Sequence, residues 1–245
     1  MVKNIYMSLS LIIPVYNEES QIISTITKLV KLKRNIKNFE ILIINDFSTD
    51  SSEKLIKKFC NKKKFIKFYN NKFKGLGSAI QTGILKSKKK YVCIFMSDMS
   101  DSLIDVKKYY TSIKNNKVDA IFGTRFSSKS KVINYPKIKY ILNRLFNNFL
   151  KLIFLSGYND FTNAFKIYKR KTLIKLLPIV SEHFNVFLEL PLKIIIRKYN
   201  YLIIPIDWKN RKKGSSKFKI KELSSMYLFT LFYCLLEKIL LKNKR

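Results

Sequence analysis

From its beginning to about residue 125, the chain alternates short apolar runs with stretches in which apolar residues recur at helical spacing. The runs at 9–15, 39–45, 65–69 and 91–96 are rich in β-branched and aromatic residues. Unbroken apolar runs this short predict strands buried on both faces, hence a parallel sheet. The intervening segments 18–31, 50–60, 76–87 and 104–115 predict helices, and 120–122 predicts a fifth strand leading into GTRF. Strand–helix alternation of this kind predicts an α/β domain with a mostly parallel sheet flanked by helices. In such sheets ligands sit beyond the carboxyl ends of the strands, so the polar residues at those ends carry the functional reading.

The pattern changes after Tyr135. Ile138, Ile141, Leu142, Leu145, Phe146, Phe149, Leu152 and Ile153 fall on one helical face, with Lys139, Asn143, Arg144, Asn147, Asn148 and Lys151 on the other. This predicts a basic amphipathic helix over about 137–155, packed on the sheet or lying in a membrane surface. The segment 165–168, helices at 171–177 and 186–197, a strand at 201–206 and the basic loop NRKKGSSKFK follow. Residues 226–236 are apolar nearly all round, and 239–241 add more beyond Glu237 and Lys238. A span needs about 20 apolar residues, so this tail predicts an in-plane or packed helix. The expected division is one domain over 1–217 and a membrane-associated apolar helix over 218–245.

Composition narrows the class. With 47% hydrophobic and 27% charged residues the chain is globular rather than disordered. The first apolar run, followed at once by acidic residues, reads as a buried strand and not a targeting segment. The net charge of +33 admits nucleic acid, an anionic membrane or a phosphorylated small molecule as partner. Only 7 of the 49 basic residues are arginine, so most of the charge is a solvated lysine coat. The arginines are more telling, because a guanidinium grips phosphate at two points where an ammonium cannot. Three dispersed cysteines form neither a disulfide framework nor a zinc ribbon and fit a reducing compartment. A single histidine, His183, leaves no histidine-based metal site or dyad.

Three acidic clusters close predicted strands: PVYNEE at 14–19, NDFSTD at 45–50 and SDMSD at 97–101. A carboxylate at a strand end can accept hydrogen bonds from a base or ribose, or hold Mg²⁺ or Mn²⁺ through oxygen. Taken singly, Asp50 and Asp101 could equally cap helices. Their order along the chain favours a ligand site.

With these residues in place, the sequence resembles family 2 glycosyltransferases of GT-A fold, specifically the dolichol- or polyprenyl-phosphate mannose synthase-like branch. The likeness runs from about Ser8 to Lys217. It rests on PVYNEE, NDFSTD, GLGSAIQTG (75–83), MSDMSD (96–101), GTRF (123–126), NRLFN (143–147), DFTNAFKIYKR (160–170), FLELPLK (187–193) and RKKGSSK (211–217). The resemblance implies a Rossmann-like sheet with membrane-surface helices. It implies donor-nucleotide binding by Pro14, Tyr16, Glu18, Asp46, Gly75, Gly77 and Asp98, and a Mg²⁺ or Mn²⁺ on Asp98 with Ser100. Met96 stands where the family's metal motif has its first Asp, so either Asp98 holds the metal with diphosphate oxygens or Asp101 joins it. Arg125, Arg144, Arg211, Ser216 and Lys217 match positions for the acceptor phosphate. Asp98, Arg125 and Lys217 are the expected catalytic residues.

The implied reaction moves a sugar, with inversion, from a nucleoside-diphosphate sugar to a polyprenyl or dolichyl phosphate. GDP-mannose is the favoured donor, with a polyprenyl-phosphate glucosyltransferase or another UDP-sugar enzyme as the alternative. The expected location is the cytoplasmic face of a membrane, on an anionic surface, with room for a membrane partner subunit. Outside enzymes, a basic nucleic-acid-binding protein or a non-catalytic lipid-binding relative stays open. The chain carries no RNA-recognition, KH or zinc motif, and no nucleic-acid partner is expected.

Overall fold

The computed structural model describes residues 8–36, 38–60, 63–209 and 220–242, with side chains of the last segment described over 225–241. The alternation of the first half becomes β1 (Ser8–Val15), α1 (Ile22–Val30), β2 (Asn38–Asn45), α2 (Ser52–Cys60), β3 (Ile66–Asn70), α3 (Leu76–Lys86), β4 (Tyr91–Ile94), α4 (Leu103–Asn116) and β5 (Ala120–Thr124). A short 3₁₀ turn, Lys31–Arg34, extends α1. Then come β6 (Val132–Ile133), α5 (Lys137–Phe154), β7 (Lys166–Lys169), α6 (Arg170–Leu176), α7 (Val186–Ile196), β8 (Tyr201–Pro205), β9 (Trp208–Lys209) and α8 (Ile220–Lys242).

Seven strands form one sheet in the order β3-β2-β1-β4-β7-β5-β8. β7 runs antiparallel to both β4 and β5, and the other pairings are parallel. β6 and β9 make a separate two-stranded ribbon. Every residue of β1 is buried, which only helices on both faces can achieve. Period-two alternation sends Leu9, Leu11 and Ile13 into one core with α1 and α4, while Ile12 joins the other with α3, α6 and α7. At the far end of the sheet, buried Glu40 ties three strands together. It accepts from Ser10 Oγ (2.7 Å), Lys67 Nζ (2.9 Å) and the Lys88 N–H (2.7 Å).

α8 enters the same core as α7, through buried Leu231 and Cys234. It runs beside α5 in the same direction: Tyr227 meets Phe146 edge-on at 6.0 Å, and Lys238 Nζ donates to the Ile153 carbonyl (2.9 Å). Both helices leave apolar residues facing outward. Leu145 and Leu152 of α5 are 63% and 72% exposed, and Phe232 and Leu240 of α8 are 61% and 62% exposed. The amphipathic stripe legible in 137–155 therefore forms, with α8, an uncovered apolar ridge. No helix among the described residues is long and apolar enough to cross a membrane.

Candidate active site

The carboxyl ends of β2, β1 and β4 lie side by side, so the loops bearing Asp46 and Asp98 leave the sheet on either side of the end of β1. The loops after β1 and β2 are stitched together. Asn17, at φ 51°, accepts from the Thr49 N–H (2.8 Å), and its own N–H donates to Ser48 Oγ (3.1 Å). The N–H of Glu18 donates to Ser52 Oγ (2.8 Å) and that of Glu19 to Asp50 Oδ2 (3.0 Å). Asp50 also acts at the start of α2, its Oδ1 accepting the Ser52 N–H (2.9 Å), while Tyr16 stays exposed above the loop, with Lys74 Nζ 5.8 Å from its ring. Pro14 is buried inside β1, opposite Ile44, and frames this loop from below.

Asp46 is buried, and its Oδ1 accepts from Asn71 Nδ2 (2.9 Å) and from the Gly75 N–H (2.9 Å). Asn71 is a residue the sequence reading missed. Beyond Asp46, its Nδ2 reaches the carbonyls of Phe73 and Gly75, while its Oδ1 accepts from Ser78 Oγ (3.1 Å) and Thr82 Oγ1 (3.0 Å). One amide thereby shapes the whole glycine loop, and its position one residue beyond β3 was the available signal. Gly75 adopts φ +132°, a conformation L side chains rarely take. Gly77 was expected to allow close approach of donor. The close approach it serves in the structure is to the chain itself: a Cβ there would lie 1.6 Å from the Ser181 carbonyl oxygen, and its N–H donates to the Glu182 carbonyl (2.9 Å).

Beyond β4, Asp98 Oδ1 accepts the Ser100 N–H (3.0 Å). Asp101 is only 5% exposed. Burial, then the neighbouring Asp98, pushes its pKa up to about 7, against the pull of Arg125. Two carboxylates so placed suit a divalent cation, which would neutralise the charge that burial penalises. Met96 packs against the core and contributes no ligand. Among the described residues no group of three acidic, His or Cys side chains forms a metal cage, so a cation held here needs ligand oxygens from a bound molecule.

Arg125 stands at the end of β5, two strands beyond β4, but not as an open phosphate grip. It is 8% exposed, and Asp160 takes it bidentately, Nε–Oδ2 2.9 Å and Nη2–Oδ1 2.6 Å. The same carboxylate accepts the Arg125 N–H (2.8 Å). Burial draws the guanidinium pKa down, but Asp160 more than offsets it and keeps the group charged. Arg125 therefore clamps the GTRF turn to the loop before β7. Arg144 of α5 joins the same corner, donating to the Asn159 carbonyl (3.1 Å) and stacking 4.5 Å over Phe126. Arg211, Ser216 and Lys217 lie outside the described residues.

An open, mostly parallel sheet with one inserted antiparallel strand, acidic loops after β1, β2 and β4 and a glycine loop after edge strand β3 is the GT-A fold. The chain belongs to glycosyl transferase family 2, whose profile matches residues 10–177. It is 28% identical over 193 residues to a dolichyl-phosphate beta-glucosyltransferase of Dictyostelium discoideum, covering 72% of this chain and 58% of that one. A protein of the same description from Saccharomyces cerevisiae is 26% identical over 227 residues, covering 82% of this chain and 66% of that one. The chain thus spans roughly three fifths to two thirds of these relatives' length. Among solved structures, glucosyl-3-phosphoglycerate synthase from Mycobacterium tuberculosis with Mn²⁺, UDP and phosphoglyceric acid superposes with TM-score 0.70 at 15% identity, over 93% of this chain and 78% of that one. Both curated relatives are named for glucose, where the sequence reading had favoured GDP-mannose.

Proposed function

We propose that this transferase moves a glucosyl group from a nucleoside-diphosphate glucose to a polyprenyl phosphate at the cytoplasmic face of a membrane. The observation that carries the proposal is a set of acidic and glycine-rich strand-end loops on the same body as an uncovered apolar ridge formed by α5 and α8. A soluble donor and a bilayer-bound acceptor require that pairing, and the lysine coat favours an anionic surface. Glucose replaces mannose because both curated relatives carry it in their names.

In this reading Tyr16, Glu18, Asp46 and the loop held by Asn71 seat the nucleotide. Asp98 and Asp101, with Ser100 beside them, hold Mg²⁺ or Mn²⁺, which when bound offsets the charge of the departing diphosphate. Arg144, with Arg211, Ser216 and Lys217, takes the acceptor phosphate, and Arg125 positions that corner through Asp160. The acceptor monoester, with a second pKa near 6, is largely dianionic at neutral pH and needs placing, not deprotonating. Its oxygen bonds to the anomeric carbon as the bond to the diphosphate breaks, inverting that centre.

The test is incubation of the protein with polyprenyl-phosphate membranes, Mg²⁺ or Mn²⁺, and radiolabelled UDP-glucose or GDP-mannose, followed by lipid extraction. Label in the organic phase from UDP-glucose, in a β-linked product by NMR, is expected. Label from GDP-mannose alone overturns the sugar, and none from any donor overturns the reaction.

A further inference from the structure

Between α6 and α7 the chain crosses behind the glycine loop as a strap, residues 179–182. Its carbonyls bear directly on that loop, Glu182 accepting the Gly77 N–H (2.9 Å) and Ser181 standing where a Gly77 side chain would be. Two devices hold the strap from the other side. The first is internal to the body: Glu189 of α7, fully buried, accepts the N–H groups of Val180 (3.1 Å) and Ser181 (2.8 Å). Lys193 neutralises it at 2.5 Å and donates to the carbonyls of Leu176 (3.1 Å) and Pro178 (2.8 Å).

The second device comes from α8. Thr230, fully buried, lies with its Oγ1 3.2 Å from Ser181 Oγ and accepts from Asn185 Nδ2 (2.9 Å). Its hydroxyl proton goes to the Met226 carbonyl (3.0 Å), so Ser181 is the donor to Thr230. Phe229, just before Thr230, and Phe232, two residues after it, lie exposed on the apolar ridge, while Leu231 between them is buried in the core. Three hydrogen bonds, Ser181–Thr230, Gly77–Glu182 and Gly75–Asp46, joined by the short chain segments 181–182 and 75–77, therefore connect Thr230 of α8 to Asp46.

Resting on the function proposed above, we infer that Thr230 is a positioning residue for the donor loop, and that a lipid surface seating α8 tightens donor binding through it. A bilayer contacting the outer face of α8 favours its docked position, the position in which Thr230 reaches Ser181. Donor binding needs the strap pressed on the glycine loop, so both ligands bias the same arrangement. By linkage, donor must then raise vesicle affinity by the factor by which vesicles raise donor affinity.

The experiment compares the full chain with Thr230→Val, Thr230→Ser and Ser181→Ala. UDP-glucose binding is measured by calorimetry with and without phosphatidylcholine–phosphatidylglycerol vesicles, and amide exchange is followed over residues 75–83. In the wild type and Thr230→Ser, vesicles are expected to tighten donor binding about five-fold, the effect of one ordinary hydrogen bond, and to slow exchange at Gly77. Thr230→Val and Ser181→Ala lose most of both effects while still sedimenting with vesicles. If Thr230→Val keeps both effects, or vesicles change neither affinity nor exchange in the wild type, the inference is overturned. A wild type that binds UDP-glucose and vesicles as stated, yet labels no lipid, overturns the transfer reading and leaves this coupling standing.

Discussion

Arg125 and Asp160 make a parallel two-point contact at 2.6 and 2.9 Å, and the same carboxylate takes the Arg125 backbone N–H. The contact joins the exit of β5 to the approach to β7, two segments 35 residues apart in sequence.

Removing one partner strands the other in a buried site. Asp160→Asn is expected to cost about 3–5 kcal/mol by denaturant titration. Arg125→Lys keeps the charge but loses the fork, and should fall between the wild type and Asp160→Asn. If Arg125 contacts acceptor directly, Arg125→Lys will raise the acceptor KM with little change in melting temperature, the reverse of the expected order.

Gly77→Ala asks a methyl to occupy space 1.6 Å from a carbonyl oxygen that the strap cannot withdraw. A loss of about 1–3 kcal/mol is expected, together with weakened nucleotide binding. Gly157→Ala, where a Cβ meets nothing within 4 Å, is the matched control and should melt like the wild type.

Asp98 and Asp101 predict a cation-dependent stabilisation. Mn²⁺ with UDP should raise the melting temperature of the wild type, and both Asp98→Ala and Asp101→Asn should abolish the rise. Asp101→Asn removes a buried charge beside Asp98 and should itself melt higher than the wild type when no cation is added. Calorimetric melts with and without Mn²⁺ decide it.

Lys166 is buried in β7, donating to the carbonyls of Phe161 (3.1 Å), Phe187 (3.3 Å) and Asn163. Burial pulls its pKa down to about 7 from 10.5, with Asp160 and Asp101 opposing and Arg125 assisting. Between those two values the unfolded chain binds a proton that the folded chain has released, so stability rises with pH across that window. Below pH 7 the burial penalty is fully expressed. Many surface lysines titrate in the upper part of this range, so the measure is the difference between wild type and Lys166→Met. The wild type should gain on the variant from pH 7 toward 10; a constant difference refutes the assignment.

The apolar ridge predicts lipid binding separable from folding. Leu152→Glu with Phe232→Glu should abolish sedimentation with anionic vesicles while leaving the melting temperature unchanged, since both side chains already face solvent. Raised salt should weaken the wild type's binding, because part of the attraction is screened.

Much of this architecture could be read from the sequence, because buried parallel strands write themselves as apolar runs. Each of the five strands expected in the first half is present at its place, as are the helices between them. The place of β7 in the sheet was not legible: the run 165–168 marks a segment but not its neighbours, and its insertion between β4 and β5 depends on contacts 44 to 78 residues away. The placement of Asp46 and Asp98 in loops after β2 and β4 followed from the apolar runs before them. The role of Asn71 did not, since an asparagine after a strand usually marks a turn. The commitment of Arg125 to Asp160 was equally hidden, because a motif gives residue types without saying which partner satisfies them.

The insertion of β7 also bears on how the polypeptide emerges during synthesis. Until residues 166–169 are available, β4 and β5 each present an unpaired flank in the middle of what will become a continuous sheet. Flanks of that kind invite pairing with another nascent chain. Any fragment ending between β5 and β7 should therefore clump, however intact its nucleotide-facing half, and soluble truncations should begin only once that late strand has been supplied.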